Sequence, residues 1–157
     1  MDLLRLGRGL LVPAAVVFAL RSLLHLMGDD PGGIPLLGPV TGLSGALSLA
    51  GIILVLVAAW KTDGRGLAII VAACIGVGHY VFSPLMPDVG AAFVYFGTGL
   101  AAGAPWGLLA GFVAMLGALM RGDAEGAHLL VVVGSAATAA LLVRALRRGT
   151  GWDDRKA

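Results

Sequence analysis

Charge is what this chain lacks most. Asp, Glu, Lys and Arg make up 13% of its 157 residues, roughly half the share of a soluble globular domain. What charge there is stands in short clusters between long uncharged runs, as expected where bilayer core and water alternate along a chain. The formal net charge is +2, and the basic residues sit at the ends of apolar runs, where they face headgroups and set orientation. That distribution points away from a nucleic-acid partner.

Cysteine is nearly missing too. Cys74 stands alone inside AIIVAACIGVG, which rules out an intrachain disulfide and a multi-thiolate metal centre. It reads as a small buried core residue. No serine occupies a G-x-S-x-G elbow, and neither HExxH, a P-loop nor a strand-borne G-x-G-x-x-G occurs. Hydrolase, zinc-protease and nucleotide chemistries therefore have no motif to run on. Lysine is scarce and asparagine does not occur, while Ala, Gly, Leu, Val and Arg abound. Such a composition accompanies GC-rich bacterial genomes.

What is present is apolar: 59% of the residues are hydrophobic and the mean hydropathy is +0.96. Uninterrupted runs predict membrane helices over about 7–27, 38–60, 66–82 and 127–145, each closed by turn-forming or interfacial residues. GDDPGGIP follows the first, Trp60-Lys61 and TDGRG the second, Ser83-Pro84 and Pro87 the third, and RALRRG the last. Arg5 and Arg8 before an apolar run imitate a signal peptide. Arg21 interrupts that run, however, and no small-x-small cleavage site precedes Asp29, so a retained first helix is expected.

The remaining apolar stretch, about 85–121, is too long for one span. Its 37 residues would make a helix of about 55 Å across a hydrocarbon core of about 30 Å. Two readings follow. If the chain turns near Ala104-Pro105, segments over about 85–103 and 105–121 bring the total to six. Arg5, Arg8, Lys61, Arg65, Arg144, Arg147, Arg148, Arg155 and Lys156 then share one side and Arg121 stands opposite. The positive-inside rule prefers this arrangement, with both termini cytoplasmic, over the even division that five spans give. Against it, Gly99, Gly103, Gly107 and Gly111 are spaced four apart. Such a ladder marks a helix-packing face and suits one broken span merely kinked at Pro105. Six segments are expected, with five as the alternative.

Ionisable groups inside a membrane call for an explanation. Arg21 and His25 lie four apart toward the outer end of the first helix. His79 and Tyr80 close the third, and Asp88 follows it. These five residues form the candidate substrate or ion site. Asp88 after Pro87 also suits a helix N-terminus, and Arg21 is near enough to its helix end to snorkel. His25 and His79 fall at comparable depth, where two imidazoles on facing helices are able to hold a non-covalent haem. A divalent-metal set of His25, His79, Asp88 and His128 is weaker, because spacing alone does not bring ligands together. Ser44, Ser48, Ser135 and Thr138 lie on helix faces and are expected to bond to backbone or to neighbouring helices.

The sequence thus predicts an all-α polytopic transmembrane helical bundle, six (or five) segments in a single domain over residues 1–157, with no soluble domain. Its place is a bacterial cytoplasmic membrane. The expected function is non-enzymatic: a transporter-like protein for a small solute, or an accessory subunit of a membrane complex. The glycine ladder would pack a helix of this chain, of a second copy, or of a larger complex. No cofactor or metal is expected. The alternative is a membrane redox protein holding haem b between His25 and His79.

Overall fold

The computed structural model describes residues 3–28, 33–60, 65–103, 105–120 and 125–148. Six helices and no strand occur among them: α1 (Leu3–Leu26), α2 (Leu37–Trp60), α3 (Arg65–Val77), α4 (Pro87–Ala102), α5 (Trp106–Leu119) and α6 (Glu125–Arg148). A single π-helical turn, Gly78–Phe82, extends α3. Consecutive helices pack against each other, and α6 closes the ring on α1. α4 also touches α6 and α1 and so reaches into the middle. Leu3–Leu26, Leu37–Ala58 and Gly126–Arg147 are long and apolar enough to cross a membrane; α5 and the stretch Ile69–Phe82 are apolar but shorter.

The stretch 85–121 does divide. α4 ends at Ala102, and Gly103 takes φ 104°, a conformation that costs an L side chain strain and glycine nothing. Its N–H donates to the Leu100 carbonyl at 3.0 Å, and α5 restarts when the Gly107 N–H donates to the Gly103 carbonyl at 2.7 Å. The other three glycines of the ladder face one another across this hairpin. A methyl group on Gly99 would overlap the Gly111 Cα and the Gly107 carbonyl, and one on Gly111 would lie 2.9 Å from the Gly99 Cα. The spacing that favoured one continuous helix is the means by which two helices pack.

Small residues do the same elsewhere. The buried face of α5 is Gly107, Ala110, Gly111, Ala114, Gly117 and Ala118, so the backbones of α4 and α6 come close on either side. Gly7 and Gly51 join α1 to α2: a Cβ on either would lie 2.7–2.8 Å from the other's carbonyl oxygen. Large apolar side chains point outward instead, among them Leu43, Ile53, Ile70, Leu109, Phe112, Leu129 and Val133. A small-residue interior under a large apolar surface suits a bundle whose solvent is lipid. There, van der Waals approach between backbones replaces hydrophobic burial as the source of cohesion.

Candidate functional site

The largest departure from regular helix lies at the end of α3. The Ser83 N–H donates to the Gly78 carbonyl at 2.9 Å, five residues back, and this wider turn re-aims the side chains it carries. π turns of this kind recur at functional sites. Here the turn carries His79 and Tyr80, whose rings meet edge to face at 5.1 Å. Gly78 makes the turn's close seat on α4 feasible, since a Cβ there would lie 2.8 Å from the Gly90 oxygen. His79 is directed at α2, where a Cβ on Gly45 would be 3.6 Å from the imidazole Nε2.

Between this turn and α1, α2 and α4 lies a cleft of about 40 Å³. Its polar edge is Thr41, Ser44, Ser48, His79 and Tyr80; its walls are Ala14, Phe18, Leu49, Ile52, Ile75 and Val94. The hydroxyls are already engaged. Thr41 donates to the Leu37 carbonyl at 2.7 Å, Ser44 to the Thr41 carbonyl at 2.8 Å and Ser48 to the Ser44 carbonyl at 2.8 Å. The cleft therefore offers an apolar body with one imidazole and one phenol at its rim. Neither family models, curated proteins nor solved structures match this chain.

The five predicted site residues separate. His79 and Tyr80 share the cleft. Arg21 and His25 are exposed on α1, and Asp88 is exposed in the first turn of α4, just after Pro87. His25 lies against His128, with ring centres 4.9 Å apart and planes tilted by 34°. His25 and His79 thus face different neighbours, and the backbones of α1 and α3 are not adjacent among the described residues. No group of three or more His, Cys, Asp or Glu side chains converges among the described residues.

Two expectations need correcting. Ser44 and Ser48 do bond to backbone, but Ser135 Oγ and Thr138 Oγ1, on α6, have no hydrogen-bond partner among the described residues. Ser22 Oγ of α1 is in the same condition. All three residues are 1–2% exposed. Arg8, counted above among headgroup-facing cations, is 1% exposed. It sits on the stripe Arg8, Leu11, Ala15, Phe18, Ser22 and His25, which alternates steps of three and four residues, faces inward as far as Ser22 and ends on the exposed His25. α6 carries the matching stripe His128, Val131, Ser135, Thr138, Leu142 and Ala145. Gly9 beside Leu146 and His25 beside His128 set the two antiparallel. The stripes were present in the sequence, yet Arg21 drew attention to a neighbouring face. Tyr95, buried on α4 with its ring 4.8 Å from Phe18, was missed as well; nothing in its local sequence separates it from its apolar neighbours.

Proposed function

We propose that the chain is a non-enzymatic membrane protein of a bacterial cytoplasmic membrane. It crosses six times, keeps both termini on the cation-rich side, and carries a small amphipathic solute in the cleft beside His79. The observation that supports this reading is the π turn, which spends helical regularity to put an imidazole over an apolar cleft. Pockets of this make-up, apolar with a few polar groups, are the usual form of small-molecule sites. The apolar portion of the solute would lie against Phe18, Leu49, Ile52 and Val94, and its hydrogen-bonding head against His79 and Tyr80. The glycine ladder gives the accessory-subunit reading no advantage over this one, because Gly99, Gly107 and Gly111 pack against each other within the chain.

A short-chain carboxylic acid bearing a diazirine, 3-(3-methyldiazirin-3-yl)propanoic acid, tests the proposal in membrane vesicles. Photolabel should collect on peptides of α2 and the π turn, and reconstituted protein should speed uptake of the same probe. Gly45→Leu, which fills the cleft, should remove both effects. Label spread evenly over the lipid-facing helices, or unchanged in Gly45→Leu, would reject the reading.

A further inference from the structure

We infer that His25 and His128 form a binding site for a divalent transition metal of the imidazole-preferring kind, Zn²⁺ or Cu²⁺, at the outer end of the seam between α1 and α6. The proposal stands apart from the cleft and does not depend on it. Two imidazoles bound to one ion at about 2.0–2.1 Å place their ring centres roughly 3.2 Å from it, so the observed 4.9 Å separation is compatible with an angle of about 100° at a metal toward which both rings turn a nitrogen. That lies between square-planar and tetrahedral values, within the range both ions accept. His25 is exposed and His128 half-buried, so an ion has an open approach and water is available for the remaining positions.

The sequence around the two histidines holds several carboxylates, with Arg21 and Arg121 nearby in sequence as well. In the sequence Asp29 and Asp30 follow His25 by four and five positions, and Glu125 and Asp123 precede His128 by three and five. Four of the nine carboxylates therefore fall beside the two histidines in sequence.

The seam itself gives the ion something to do. α1 and α2, α4 and α5, and α5 and α6 meet through glycines whose added Cβ would collide with backbone. Between α1 and α6 the nearest such contact, a Cβ on Gly9, reaches only the Leu146 side chain at 3.6 Å. The orphan hydroxyls of Ser22, Ser135 and Thr138 belong to the inward stripes of these same two helices. The ring is thus closed at a junction that glycine does not set, although α1 and α6 approach as extensively as α1 and α2 do, and a metal across His25 and His128 would staple the first helix to the last at this end.

Untagged protein in detergent, stripped with EDTA, should take up one Zn²⁺ per chain in calorimetry and unfold at a higher temperature with the metal than without. His25→Gln and His128→Gln should each weaken Zn²⁺ binding at least tenfold and abolish the thermal shift, while their EDTA baselines match wild type. Cu²⁺-loaded wild type should give an electron paramagnetic resonance spectrum with two nitrogen ligands; this readout needs no variant. Zn²⁺ binding that survives either substitution, or a Cu²⁺ spectrum with one nitrogen or none, would overturn the assignment.

Discussion

At the scale of single residues, seven hydroxyls buried in or lining the bundle fall into two groups. Thr41, Ser44, Ser48 and Thr98 donate to a carbonyl of their own helix at 2.7–2.8 Å. That local bond is the standard solution for Ser and Thr within a helix. Ser22, Ser135 and Thr138 do not make it. A buried hydroxyl without a partner costs about 1–3 kcal/mol, whereas an apolar group of the same shape costs nothing of that kind. Thr138→Val and Ser135→Ala should therefore leave stability unchanged or raise it by up to about 1–3 kcal/mol, measured by denaturant unfolding in mixed micelles. A loss of stability in both would mean that the hydroxyls are satisfied after all, by bound water. The bland expectation for these two residues failed because a hydroxyl's partner depends on its rotamer, which the sequence does not encode. Arg8 escaped notice for a different reason. Proximity to the N-terminus placed it among interfacial cations, but its seven-residue offset from Ala15 sets it on the inward stripe.

At the scale of helices, cohesion rests on where glycine meets backbone and not on glycine as such. Gly111→Ala forces a methyl to 2.9 Å from the Gly99 Cα and 3.1 Å from two carbonyl oxygens of α4. Overpacking of this kind costs about 1–3 kcal/mol. Gly76→Ala, on α3, meets nothing within 4 Å and should gain about 0.5–1 kcal/mol from helix propensity. Equal effects of the two in the same unfolding assay would contradict the packing account. Most of this architecture was legible beforehand. Helix centres follow from run length and hydropathy; the length limit excludes one straight span over 85–121, and the cation count favours the break near Pro105. The π turn was not legible, since GHYVF carries no pattern distinct from ordinary helix. Nor was the pairing of His25 with His128 in preference to His79, because equal depth does not say which helices are neighbours in a ring.

At the scale of the whole molecule, the antiparallel register of α1 and α6 brings the chain's first and last helical turns to one end of the bundle. With six helices running alternately, the ends of α1 and α3 and the end of α5 share the opposite face. α4 and α5 are only 16 and 14 residues long, about 24 and 21 Å against a core of about 30 Å. Their turn at Gly103–Pro105 reaches the far interface only if the bilayer thins locally or the exposed Trp106 anchors it there. Single cysteines on a Cys74→Ala background separate these possibilities. Met27→Cys, Leu85→Cys and Met120→Cys, all strongly exposed positions, should react with a membrane-impermeant maleimide added to intact spheroplasts. Arg147→Cys should react only after permeabilisation, the outcome that the proposed cytoplasmic placement of the cation-rich side requires. Trp106→Cys should behave like Arg147→Cys if the hairpin crosses fully, and should resist the reagent from both sides if it turns back within the membrane. Labelling of Arg147→Cys together with Met27→Cys, with Met120→Cys on the other side, would instead restore five spans and refute the six-span bundle.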